Sequence, residues 1–168
     1  VGRPDRSSLP ILAVDVDGVI SLFGFEQTPP TDVGRFHLID GMPHFISTEA
    51  GERLRRLVDR YELVWATGWE EKANEYLPGI LGLPPLPVLH FGPDARFGSS
   101  HWKLGPIGDY ASSRPLAWID DSLSHHCYEW AEARDEPTLL VPTESPIGIE
   151  EGHVEALIRW ADDGYTLG

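Results

Sequence analysis

Short uninterrupted apolar runs recur along this chain, and they restrict its fold more tightly than any other feature of the sequence. Residues 10–15 (PILAVD), 61–67 (YELVWAT), 87–91 (PVLHF), 116–120 (LAWID) and 138–141 (TLLV) show no strict alternation of polar and apolar positions. That is the pattern of strands covered on both faces. The segments between them follow a helical period. In 49–60, Leu54, Leu57 and Val58 fall at i, i+3 and i+4, with Glu49 and Glu52 early and Arg53, Arg55, Arg56 and Arg60 later, as the helix dipole favours. Segments 70–77, 122–133 and 150–161 read as further helices, the last with Val154, Leu157, Ile158 and Ala161 in one stripe. Strands alternating with helices predict an α/β fold, a three-layer sandwich around a central, mostly parallel five-stranded sheet.

The stretch 20–45 breaks this alternation. It carries Gly24, Pro29, Pro30, Gly34, Gly41 and Pro43, and reads as a small hairpin or flap after the first strand, an irregular excursion over the sheet's edge with 35–39 as one of its strands. No repeat or linker divides the 168 residues, so one domain over 1–168 is expected, with 1–9 as a mobile terminus. With 41% hydrophobic and 24% charged residues the chain falls outside the disordered and fibrous classes. Its single cysteine, Cys127, excludes an intrachain disulfide, which points to a reducing cytoplasm. A net charge of −14 opposes general binding to nucleic acid or to an anionic membrane surface. The apolar runs are far shorter than a bilayer span, and residues 1–10 contain no signal-type core, although a chain beginning at Val1 leaves a removed leader open. Oligomeric state has no signature in the sequence.

Ligands of open parallel sheets bind outside the carboxyl ends of the strands. Those ends carry Asp15, Asp17, Thr67, Asp120 and Asp121, so three strands bring four carboxylates and a hydroxyl to one edge. Any one aspartate there could simply cap a turn. As a set they form the all-oxygen ligand group of a hard cation, Mg²⁺ above all, because four carboxylates at close range cannot all ionise without one. Lys103 adds a second signal. Of 13 basic residues only Lys72 and Lys103 are lysines, and the rest are arginine. Lys72 reads as a solvated charge on a helix. Lys103 precedes the 116–120 run, where a compact ammonium could reach carboxylates and a phosphoryl oxygen that a planar guanidinium would crowd.

The run Asp15, Val16, Asp17, Gly18, Val19 after a hydrophobic strand resembles the first motif of haloacid dehalogenase (HAD) superfamily phosphotransferases. Thr67, Lys103 and the pair Asp120 and Asp121 follow in the order of that superfamily's other motifs, and the resemblance covers about residues 11–141. It implies a Rossmann-like core and a Mg²⁺-dependent phosphomonoester hydrolase acting on a phosphorylated substrate, small or macromolecular. Asp15 would be the nucleophile that forms an aspartyl-phosphate, and Asp17 the acid and base. Thr67 and the Gly68 N–H would donate to a phosphoryl oxygen, and Lys103 would neutralise charge. Asp15, the backbone carbonyl of Asp17 and one of Asp120 and Asp121, with Asp121 slightly favoured, would hold Mg²⁺. The gaps 17–67 and 67–103 lack room for a full cap domain, so the chain resembles the capless branch with an open site.

Trp69 follows the Thr67–Gly68 loop, where it could stack on a substrate or pack a helix's first turn. His125, His126 and Cys127 are consecutive on a helix and diverge too far to share a zinc ion. His101 is near Lys103 and could line the pocket. The alternative function is a non-hydrolytic phosphoacceptor or binding domain with a HAD-like or receiver-like fold, but receivers carry their paired acids on the first strand and the phosphorylated aspartate later, the reverse of this order.

Overall fold

The computed structural model describes residues 5–92 and 100–167. Seven strands are present among them: β1 (Ile11–Val14), β2 (Ser21–Leu22), β3 (Gly34–Ile39), β4 (Met42–Ser47), β5 (Glu62–Trp65), β6 (Leu116–Asp120) and β7 (Thr138–Pro142). Four of them form a parallel sheet in the order β5-β1-β6-β7. β1 is therefore central, with β5 on one side and β6 on the other, and the crevice beyond its carboxyl end is a topological switch point. Side chains of β1 alternate between two cores. Leu12 and Val14 pack with Leu54, Leu77, Leu157 and Trp160, on the face covered by α1 (Thr48–Arg55), α2 (Glu71–Leu81) and α5 (Glu151–Asp162). Ile11 and Ala13 pack with Ile107, Ala111 and Cys127, on the face covered by α3 (Leu104–Ala111) and α4 (His125–Ala133). These layers give the sandwich expected from the uninterrupted apolar runs.

The fifth strand is a correction. The run 87–91 contributes a single parallel bridge between Val88 and Trp65, with Trp65 N–H donating to the Pro87 carbonyl at 2.9 Å and Leu89 N–H to the Trp65 carbonyl at 3.0 Å. Pro84, Pro85 and Pro87 have no N–H to give a ladder. Leu86 is instead held by the Asn74 side chain, which accepts from its N–H at 2.9 Å and donates to its carbonyl at 2.7 Å.

The stretch after β1 is more regular than the sequence suggests. β2, β4 and β3 pair antiparallel in that order as a second sheet. Asp40 and Gly41, with φ of 50° and 79°, make the two-residue turn between β3 and β4 that matches the twist of a hairpin. α3 lies in a stretch for which the sequence pattern assigned no element, because Gly105, Pro106 and Gly108 mask its periodicity. Ahead of β1, Arg6–Ser8 forms a 3₁₀ turn, and Arg114 donates to the carbonyls of Arg6 and Leu9. Residues 1–4, the start of the segment expected to be mobile, lie outside the described residues. No helix among the described residues is long and apolar enough to cross a membrane.

The loop after β7 clamps the turn after β1. Thr143 Oγ1 donates to the Gly18 carbonyl at 2.8 Å, Ile149 N–H to the Val19 carbonyl at 3.0 Å and Phe23 N–H to the Ser145 carbonyl at 3.1 Å. The approach is so close that a Cβ on Gly148, which has φ +74°, would lie 2.4 Å from the Val19 carbonyl oxygen. Gly148→Ala should therefore cost about 3 kcal/mol, or about 10 °C in melting temperature. Gly152→Ala, in α5 with open space around its Cβ, should leave the melt unchanged or slightly raised. Equal melts for the two variants would contradict the clamp.

Candidate active site

The register of the sheet assembles the site. Val14 is paired with Trp65 on one side and Ile119 on the other, so the next residues, Asp15, Ala66 and Asp120, emerge side by side at the carboxyl edge. Asp15 N–H donates to the Ile119 carbonyl at 3.1 Å, and Ala66 N–H to the Val14 carbonyl at 2.8 Å, which carries the ladder up to the site. Lys103 arrives from the short 3₁₀ turn that leads into α3. Its ammonium lies 3.0 Å from Asp15 Oδ1 and 2.7 Å from Asp120 Oδ2, with all three side chains buried. Trp102 flanks it, its ring centroid 5.2 Å from Nζ.

Each carboxylate is held differently. Asp120 takes three donors: Oδ1 accepts from Ser100 Oγ at 2.7 Å and from Ser122 N–H at 2.9 Å, while Oδ2 takes Lys103. Asp121, half-buried, accepts one serine hydroxyl on each oxygen, Ser122 at 3.1 Å and Ser145 at 2.9 Å. It fits only because residue 18 is glycine, since a Cβ there would lie 2.1 Å from Asp121 Oδ2. Asp17 turns to another partner, accepting the Trp69 indole N–H on Oδ2 at 3.1 Å. Thr67 is buried and its Oγ1 accepts the Trp69 N–H at 3.2 Å, which leaves the hydroxyl proton available to an oxygen in the site. Gly68 is exposed beside it.

Burial lifts the Asp15 carboxyl well above the ordinary carboxylate range; Lys103 pulls it down, and Asp120 and Asp121 push it further up. Burial also raises Asp17 against the opposing Trp69 bond and His44, and raises Asp121 against the Ser145 hydroxyl. For Lys103 burial works against the charge, but Asp15 and Asp120 together outweigh it and hold the ammonium above the ordinary lysine range. Four carboxylates thus share one ammonium, a local excess of negative charge in a poorly solvated place.

Asp15, Asp120 and Asp121 offer oxygens that lie within 4.8 Å of one another. An all-oxygen set with surplus negative charge suits a hard divalent cation, so the residues present fit Mg²⁺. The Asp17 carboxylate is not part of this group, consistent with its commitment to Trp69. A second group, Glu70, Glu71 and His90, is largely exposed.

The structure brings Asp15, Thr67, Lys103, Asp120 and Asp121 to one edge as the strand ends imply, and it links Asp17 to them through the Trp69–Thr67 corner. Sequence reasoning missed Ser100 and Ser145, which orient Asp120 and Asp121, and His44, whose ring edge meets Trp69 at 4.9 Å between centroids. Serines carry no spacing signal that marks them as partners of an aspartate. Cys127 is buried in the second core and takes no part, while His125 and His126 are exposed. No protein-family model matches this chain and no curated protein matches it, so the chemistry of the site carries the functional reading.

The raised carboxyls make stability depend on pH. Above the ordinary carboxylate pKa of about 4, the native state still holds protons at Asp15, Asp17 and Asp121 that the unfolded chain has released, so stability falls as pH rises through the raised values. Exposed Asp5, Asp40 and Glu71 are lowered and act only below that window. In EDTA the melting temperature should decline by several degrees between about pH 5 and pH 8, and Asp15→Asn should remove most of the decline. A melt that rises with pH over this range in the wild type would contradict the arrangement.

Proposed function

We propose that this protein is a Mg²⁺-dependent phosphomonoester hydrolase of the haloacid dehalogenase type, acting through an aspartyl-phosphate on Asp15. The observation that carries this reading is the bridge at the sheet's edge: Lys103 holds Asp15 at 3.0 Å and Asp120 at 2.7 Å, with Asp121 alongside and Asp17 two residues on. A buried lysine shared by carboxylates of adjacent strands has no need of a site to exist, but it is costly as a purely structural device. Its orientation of one Asp15 oxygen leaves the other for attack.

In this reading a carboxylate oxygen of Asp15 attacks phosphorus and the bond from phosphorus to the alcohol oxygen breaks. Asp17, which burial keeps protonated to higher pH than an ordinary aspartate, gives its proton to the departing alkoxide. The Asp17 carboxylate then takes a proton from water as that water attacks phosphorus, the bond from phosphorus to Asp15 breaks, and inorganic phosphate leaves. Trp69 positions Asp17, Thr67 donates its hydroxyl to a non-bridging oxygen, and Lys103 offsets charge on Asp15 and the transferring group. Asp120 already takes three donors, from Ser100, Ser122 and Lys103, so of the pair Asp121, with two, is the better placed to hold Mg²⁺ together with Asp15. That ion would add positive charge beside the transferring phosphoryl group.

The test is steady-state release of phosphate from p-nitrophenyl and alkyl phosphates. Turnover should need Mg²⁺, stop in EDTA, and fall on the order of 10³-fold or more in Asp15→Asn. Asp17→Asn should harm alkyl esters more than the nitrophenyl ester, whose leaving group needs no proton. Lys103→Arg should lose about as much as Lys103→Ala, on the order of 10²-fold. A single phosphorylation without turnover would instead identify a phosphoacceptor, and full activity in Asp15→Asn would overturn the mechanism.

A further inference from the structure

Beside Asp17 the small antiparallel sheet forms a cleft of about 350 Å³, walled by Phe23, Phe25, Phe36, Phe45 and His44. Four of the chain's six phenylalanines are gathered here. Phe45 is buried and anchors the wall, with Phe25 and Phe36 set edge-on to it at centroid separations of 5.8 and 5.3 Å. Phe23 and Phe36 are 49% and 54% exposed, so their rings face open space rather than core. Exposing aromatic rings to water costs stability that a folded surface rarely spends in one place without an occupant.

Two further observations say what fits. Among the described residues no lysine or arginine lines the cleft and Asp17 is its one acidic side chain, so an occupant with its own negative charge would find no counter-charge there. The edge-on rings prefer a flat aromatic partner, which they can meet face to edge. The volume is at the small end of ligand pockets and suits one or two rings. Asp17 belongs to the lining, which sets the direction: a phosphate on Asp15 would point its alcohol oxygen toward Asp17 and the carbon skeleton beyond it into the cleft.

Resting on the phosphatase reading, we propose that this cleft is the leaving-group subsite, and that the substrates are phosphomonoesters whose alcohol carries a flat, uncharged aromatic ring. The occupant is selected by the phenylalanine walls of β3, β4 and the segment after β2, and the phosphate by the strand-end cluster. The small sheet after β1 thereby determines specificity, and the parallel sheet supplies the chemistry.

The experiment compares benzyl phosphate with ethyl phosphate in the Mg²⁺-loaded protein, a pair that makes similar demands on Asp17 because both leave as alkyl alcohols. Wild type should favour the benzyl ester about 30-fold in kcat/KM, the worth of burying a phenyl ring. In the Phe23→Ala/Phe36→Ala double variant the preference should shrink at least fivefold. Both rings are half exposed, so the fold should tolerate their loss, and a thermal melt checks it. Leu38→Ala, which truncates an exposed side chain of β3 outside the cleft, should leave the preference unchanged. Calorimetric affinities for benzylphosphonate and ethylphosphonate run in parallel. If no ester turns over, the catalytic reading fails, and the phosphonate affinities alone decide the cleft. A benzyl to ethyl ratio within twofold of unity, or a ratio that the double variant does not reduce, overturns the proposal.

Discussion

The ammonium of Lys103, buried between Asp15 and Asp120, is the contact on which the site depends. Parallel pairing of β1 with β6 forces these two carboxylates together at the sheet's edge, and neither is solvated. Removing the lysine would strand both, at a cost on the order of 3–5 kcal/mol if they stayed charged. The bridge also spans three separate parts of the chain: the end of β1, the segment entering α3, and the end of β6. A guanidinium would need more room and a flatter pocket, so the chain's use of lysine at this one buried position, against eleven arginines elsewhere, follows from the geometry.

The remaining carboxylates show how such a cluster is stable enough to exist. Serine hydroxyls and a backbone N–H satisfy Asp120, two serines hold Asp121, and an indole N–H holds Asp17. None of these donors carries a full charge. The cluster thus remains short of positive charge after every hydrogen bond is made, a condition that a cation or an incoming group can relieve. Stability withheld at the edge of the sheet is compensated in the two cores below it, where β1 is covered on both faces.

How far this was readable from the sequence depended on how local each signal was. The continuous apolar runs at 11–14, 62–65, 116–120 and 138–142 become strands because burial on both faces leaves them no other arrangement. The run at 87–91 looks the same, yet prolines at 84, 85 and 87 remove the donors a strand needs, and one bridge is all that forms. Strand-end aspartates and Thr67 were legible because topology sends strand ends to one edge, and Lys103 because it is one of only two lysines among 13 basic residues. Ser100, Ser145 and the Trp69 bond to Asp17 were not, since they join residues 20 or more positions apart through common side chains with no periodic signature. The Asp40–Gly41 turn was a local signal of the hairpin, and the excursion it organises carries the aromatic cleft. α3 hid behind Gly105, Pro106 and Gly108 because its helicity comes from packing Ile107 and Ala111 into the second core.

The central claim is that phosphate resides on the Asp15 carboxylate during the reaction, and the most direct measurement is to find it there. Protein turning over p-nitrophenyl phosphate with Mg²⁺ is quenched in acid, reduced with borohydride, digested and analysed by mass spectrometry. An acyl phosphate is reduced to the alcohol, so the account predicts homoserine in place of Asp15 in the peptide containing the β1 end, only in samples that received both substrate and Mg²⁺. Reduction at Asp17, Asp120 or Asp121 instead, or no reduced aspartate while turnover proceeds, would contradict it.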